Sequence, residues 1–181
     1  MPSVGPPDAG ADELLCADEV VTIGSAANPT GAGITYNWTG TGLAALSSTT
    51  SPNPIFNAAL VGAGEYSLTL SKEEGACTST DEIIVTVLEP VIPALPSETV
   101  CQGGAVKVDV VPQLGTSYHW EPTTGVSDPN IANPLISNLT ASTTYTVTGV
   151  NSYGCTTIRD LHIDVLPLPA PSLTLNDKDA C

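Results

Sequence analysis

The chain has 181 residues and carries 19 Asp and Glu against 4 Lys and Arg, a net charge of −15. A phosphate backbone or an anionic membrane surface would be repelled by that charge, so nucleic-acid binding is not expected and no membrane insertion is expected either. Hydrophobic residues make up 41% and charged residues only 13%, a balance that can bury a core and does not read as disordered.

Residues 1–11 are rich in Pro and Gly and read as a leader or the end of a linker. Met1-Pro2-Ser3 begins no signal peptide, because no basic start or apolar core follows. Residues 20–23 read as a first short strand, and Ile34-Thr35-Tyr36-Asn37-Trp38 as the next, with Tyr and Trp on one face by period two. Pro54 falls in an extended edge or loop, where a missing ladder hydrogen bond costs little. Tyr66-Ser67-Leu68-Thr69-Leu70 is a strong strand, a turn follows at residues 72–76, and residues 82–88 form the last strand. Residues 83–96 are the most apolar stretch, but Glu89 and the prolines at 90, 93 and 96 break it, so no membrane span is predicted.

The same order then recurs. Val106-Lys107-Val108-Asp109-Val110 alternates cleanly, and residues 117–120 match the Tyr-x-Trp strand. Asn133-Pro134 matches Asn53-Pro54, Tyr145-Thr146-Val147 matches Tyr66-Ser67-Leu68, and residues 161–166 match the last strand. Cys16, Cys101 and Cys181 recur at intervals of roughly 80 to 85 residues, so Cys181 reads as the first landmark of a third copy. Each copy shows about seven short strands with regular turn signals and no helical periodicity, which is the sandwich pattern.

The predicted fold class is therefore all-β: two tandem β-sandwich domains joined by a Pro-rich linker. The expected boundaries are a leader at 1–11, a first domain at 12–89, a linker at 90–96, a second domain at 97–167, and a linker with a truncated third start at 168–181. Prolines at this density favour extended, semi-rigid spacers. Trp38 and Trp120 are expected to plug the two cores, helped by Tyr66 and Tyr145, because large rings at equivalent positions bury the most apolar area.

The five cysteines show no Cys-x-x-Cys metal spacing. The recurring spacing favours one bridge per repeat, Cys16 with Cys77 and Cys101 with Cys155, leaving Cys181 unpaired or intermolecular. Free thiols or pairing across repeats are the alternatives. Bridges of either kind imply an oxidising compartment.

No sequence feature carries catalysis. There is no Gly-x-Ser-x-Gly elbow, and the Gly-rich triplets at 31–33, 40–42 and 62–64 read as turns. His119 and His162 lie on predicted strands without a ligand cluster. Glu73, Glu74, Asp81 and Glu82 flank Cys77 and are weak Ca2+ candidates, although Ca2+ needs six to eight converging oxygens. The acidity otherwise serves solubility. No other cofactor is expected.

Residues 7–16, Pro7-Asp8-Ala9-Gly10-Ala11-Asp12-Glu13-Leu14-Leu15-Cys16, resemble the lead-in of Ig-like and PKD-like repeats in very large cell-surface proteins of the Bacteroidota. Asn133-Pro134, residues 143–148 and residues 151–156 resemble the second half of such repeats. That family includes gliding-motility adhesins and type IX secretion substrates. The resemblance implies export to an extracellular, cell-surface location and a role as stalk, spacer or fibre-forming unit. Its implied partners are neighbouring repeats, further copies, or surface proteins and polysaccharides. One departure stands out: the second Cys follows the strand Tyr by about ten residues, where a classical immunoglobulin domain has two. The alternative function is a carbohydrate- or protein-binding module, for which Tyr153 is the best exposed-aromatic candidate.

Overall fold

A computed structural model describes residues 5–169. The chain divides into two compact units, Met1–Glu89 and Pro90–Cys181. Cys181 and the segment 172–181, to which strand exchange with a neighbouring chain could be ascribed, lie outside the described residues.

In the first unit, β1 (Glu13–Leu15), β2 (Val20–Thr22), β3 (Ile34–Gly40), β4 (Ile55–Asn57), β5 (Gly64–Glu74) and β6 (Cys77–Val87) follow in order. One sheet runs β1-β6-β5-β3 and a second, smaller one pairs β2 with β4. β5 and β6 form a long antiparallel ladder from Gly64↔Val87 to Glu74↔Cys77. The ladder closes at Gly75, whose φ of 61° favours a residue without a Cβ. β1 runs parallel to the end of β6, with Leu15 opposite Val87.

The second unit repeats this plan. β7 (Glu98–Cys101), β8 (Val106–Lys107), β9 (Ser117–Glu121), β10 (Leu135–Ile136), β11 (Thr143–Val150) and β12 (Thr156–Leu166) form the sheet β7-β12-β11-β9 and the pair β10-β8. β7 again runs parallel to the end of β12. In each unit the third, penultimate and last strands share one sheet while the second and fourth form the other. That is the Ig-like division of a β-sandwich.

Among the described residues each unit has six strands, where the turn spacing suggests seven. After β3 the chain turns through a single 3-10 turn at Leu43–Ala45 and touches β4 only through a lone bridge, Leu46↔Phe56. The Ser- and Thr-rich run that follows satisfies its backbone locally. Ser48 Oγ accepts from the amides of Thr50 and Ser51, and the Trp38 amide reaches Thr49 O at 2.7 Å. Local side-chain bonds of this kind compete with a sheet ladder. The second unit has the same lone bridge at Val126↔Ile136.

Alternation builds the cores. Leu68 and Leu70 on β5 and Val85 on β6 are fully buried and meet Phe56, Ile23 and Trp38. Trp38 and Trp120 are both buried, and each indole N–H has a partner. Trp38 Nε1 donates to Ser51 O at 2.8 Å, and Trp120 Nε1 donates to Ile131 O at 2.9 Å. Tyr145 is buried and donates to Thr124 O at 2.9 Å. Tyr66 is half-buried, packs against Phe56 with ring centroids 6.0 Å apart, and donates to Val61 O at 2.8 Å.

Parts of the segments read as leader and linker pack into the sandwiches. Ala9 is fully buried; its carbonyl accepts from the Gly24 amide at 2.8 Å, and its own amide donates to Asp81 Oδ2 at 2.8 Å. Asn28 clasps the same segment, accepting from the Asp8 amide and donating to Asp8 O, each at 2.8 Å. In the second unit Val91 and Ile92 are buried, and the Val91 amide donates to Thr157 Oγ1 at 3.1 Å. Their apolar side chains find more favourable surroundings in the sandwich than in water, which outweighs the spacer preference of the flanking prolines.

Candidate functional surface

Strand register decides where the cysteines sit. Leu15 is opposite Val87 and its carbonyl accepts from the Leu88 amide at 2.8 Å, so Cys16 lies at the far end of β6. Cys77 is the first residue of β6. Ten residues of strand separate the two ends, roughly 30 Å. A disulfide needs Cα atoms within about 7 Å. The expected Cys16–Cys77 bridge therefore does not form, and Cys77 is an exposed free thiol while Cys16 is disulfide-bonded. In the second unit Cys101 is opposite Leu166, the last residue of β12, and Cys155 precedes its first residue. The Cys101–Cys155 bridge fails for the same reason, although both cysteines are disulfide-bonded. Recurrent spacing marks equivalent positions; it does not say that they lie close together.

The four candidate Ca2+ ligands are also kept apart. Glu73 and Glu74 pair with Thr78 and Cys77 at the hairpin end, whereas Asp81 and Glu82 pair with Leu70 and Thr69 further along. Asp81 accepts the Ala9 amide, and Glu82 accepts the Ser67 hydroxyl. Among the described residues no three His, Cys, Asp or Glu side chains gather as a metal site. Both histidines lie on exposed strand faces beside a carboxylate, His119 with Glu121 at 3.4 Å and His162 with Asp164 at 3.2 Å.

The turn between β11 and β12 is organised by one side chain that the sequence did not single out. Asn151 Oδ1 accepts from the amides of Tyr153 and Cys155, each at 3.0 Å. This Asx turn leaves Tyr153 67% exposed, the most exposed aromatic ring that the described residues offer to a ligand. A groove of about 460 Å³ in the second unit is lined by Pro122, Thr124, Ser137, Asn138, Leu139 and Tyr145. No charged residue lines it, and the Tyr145 ring is too buried to serve as a stacking face.

Burial raises the pKa of the Tyr36 phenol, and the Glu74 charge raises it further; burial alone raises that of Tyr145. A phenol whose folded pKa is raised contributes its full stability below the unfolded value of 10.0 and loses it as pH climbs towards the folded value. The urea midpoint is therefore expected to hold steady below that pH and to fall above it. A Tyr36→Phe, Tyr145→Phe double variant should fall less steeply over the same range. Equal slopes would mean that these phenols do not govern alkaline unfolding.

No protein-family model matches the chain, and no curated protein sequence does. Solved structures with a similar course include the I67–I69 I-band fragment of titin, at 15% identity and a TM-score of 0.40 over 90% of this chain and 64% of that one. The insect immune protein hemolin is similar at 14% identity and a TM-score of 0.49, over 90% of this chain and 46% of that one. A SusE-like surface-located polysaccharide-binding protein from Bacteroides thetaiotaomicron is similar at 11% identity and a TM-score of 0.42, over 88% and 34%. The chain thus spans about two thirds or less of these structures. No described helix is long and apolar enough to cross a membrane.

Proposed function

We propose that this chain is a non-catalytic spacer and adhesive module of a longer cell-surface protein. One observation carries the reading: the same Ig-like unit is built twice, and in both copies the tryptophan and a tyrosine of the penultimate strand are spent on the core and on backbone hydrogen bonds. Repetition of a unit with its aromatic groups turned inward suits spacing and presentation better than chemistry. Three disulfide-bonded cysteines favour an oxidising, extracytoplasmic setting. The test is labelling of intact host cells with an amine reagent that cannot cross membranes. Exposed Lys107 should be modified without lysis. Labelling only after lysis would overturn the location.

Tyr153 favours a second reading, a module that recognises polysaccharide or protein, because it presents an apolar ring to solvent from an ordered turn. A glycan that binds the chain should lose most of its binding on Tyr153→Ala. Absence of binding across a broad glycan panel would leave the spacer reading alone.

A further inference from the structure

We infer that the second unit carries a binding surface for an uncharged polysaccharide, formed where the turn at 113–116 meets the turn at 151–154, with Tyr153 and Leu114 as its contact residues. The inference rests on the reading of Tyr153 as a ligand-binding residue, and adds the charge class of the ligand and a second element of the site.

Strand register shows how the two turns meet. Ser117, the first residue of β9, lies opposite Val150, the last of β11, and its hydroxyl donates to Val150 O at 3.4 Å. The turn that enters β9 therefore stands beside the turn that leaves β11. A Cβ at Gly115 would be 3.5 Å from Ser152 Cβ, an ordinary van der Waals contact, so the two turns lie side by side. The first unit closes the same hairpin differently. Four residues, 74–77, connect Thr78 to its partner Glu73, whereas five, 151–155, connect Thr156 to its partner Val150. The longer connection holds Asn151-Ser152-Tyr153-Gly154, against Glu74-Gly75-Ala76 in the first unit.

Both turns are ordered without a ligand. Asn151 fixes one through the amides of Tyr153 and Cys155. In the other, the Thr116 amide donates to Gln113 O at 3.2 Å, and the Gln113 amide donates to the Tyr118 phenol oxygen at 3.1 Å. A surface held in this way loses little entropy on binding. Leu114, within the 113–116 turn, is fully exposed, so its side chain adds nothing to the core.

Charge selects the ligand. Residues 110–118 and 147–158 contain no Asp, Glu, Lys or Arg, in a chain whose net charge is −15. An acidic polysaccharide would meet no cation there and would be repelled by the rest of the chain. A neutral sugar offers what the surface can engage. Its C–H face suits the Tyr153 ring and Leu114, and its hydroxyls suit the exposed Gln113 amide and Ser152 hydroxyl. A protein partner fits less well. Residues 111–117 and 151–154 supply seven and four positions, whereas a stable protein interface draws on roughly 20–30 a side.

The experiment is isothermal titration of the full chain with a panel of neutral and acidic polysaccharides. A neutral member should bind equally well at about 50 mM and about 500 mM salt, because no ion pair is made. Tyr153→Ala should weaken that binding roughly tenfold or more, Leu114→Ser should weaken it less, and Tyr153→Trp should retain it. Both side chains are exposed, so none of these changes is expected to disturb the fold. Neutral binding that survives Tyr153→Ala and Leu114→Ser would overturn the site. Binding of acidic members alone, lost on Tyr153→Ala, would overturn the charge class and leave Tyr153 as a ligand-binding residue. No binding across the panel would overturn the inference and the polysaccharide reading together.

Discussion

Ile92→Ala is expected to destabilise the second unit by about 2–5 kcal/mol, the usual cost of emptying a fully buried aliphatic site. The measurement is a urea titration followed by Trp120 fluorescence, in a Trp38→Phe background so that one indole reports. The reason lies at Gly149. A Cβ placed there would come within 2.9 Å of Ile92 Cδ1 and 3.0 Å of Val91 Cγ1. The equivalent residue of the first unit is Lys72, which lies opposite Tyr36 as Gly149 lies opposite Tyr118, and its side chain is buried. The second unit has a glycine where the first has that lysine and fills the space from residues 91 and 92. A cycle tests this directly. Gly149→Ala should cost more alone than in the Ile92→Ala background, because the shortened side chain makes room for the new methyl. An unchanged midpoint for Ile92→Ala would mean that residues 90–96 are a free spacer after all.

Gly40→Ala should be among the most damaging single changes in the first unit, with an expected loss of about 3–5 kcal/mol. Gly40 ends β3 with φ at 118°, and a Cβ would stand 2.2 Å from the carbonyl oxygen of Ser67. That oxygen accepts from the Thr41 amide at 2.9 Å and sits in the ladder, so it cannot move aside without breaking the β3–β5 pairing. Gly33→Ala is the control. Its φ of 84° is also left-handed, but open space surrounds it, so only the conformational cost of about 1–2 kcal/mol applies. Trp38 fluorescence in a Trp120→Phe background reads both variants. Equal losses at the two sites would show that steric contact with Ser67 is unimportant.

Alternating apolar residues and turn signals made the strands legible, since a half-buried strand can be written in few other ways. Val106, Val108 and Val110 are buried and Lys107 and Asp109 exposed, as the alternation dictates, even though the ladder itself stops at Lys107. The segments at 5–11 and 90–92 were not legible. Pro and Gly dominate the first and prolines flank the apolar pair of the second, and their burial depends on Asn28, Asp81, Gly149 and Thr157, residues distant in sequence. The cysteines mark a sharper limit. Spacing locates Cys77 and Cys155 on equivalent turns, but only strand register reveals that each lies a full strand length from the end of the first strand of its own unit. The four Ca2+ candidates show the same limit, since neighbours in sequence on a strand point to opposite faces and spread along its length.

The parallel pairing of first and last strands has one more consequence. A pull on the two ends of a unit draws β1 by its beginning and β6 by its end, so the strands are dragged in opposite senses along a common axis. Their hydrogen bonds lie across that axis and are loaded together, in shear, instead of being peeled one at a time. Three residue pairs share the load in the first unit and four, from Glu98 to Cys101, in the second. The hairpin ladders behind them carry little tension until that patch slips. With the disulfides reduced, tensile strength in each unit is therefore set by a patch of three or four residues, and the second unit is expected to be the stronger link.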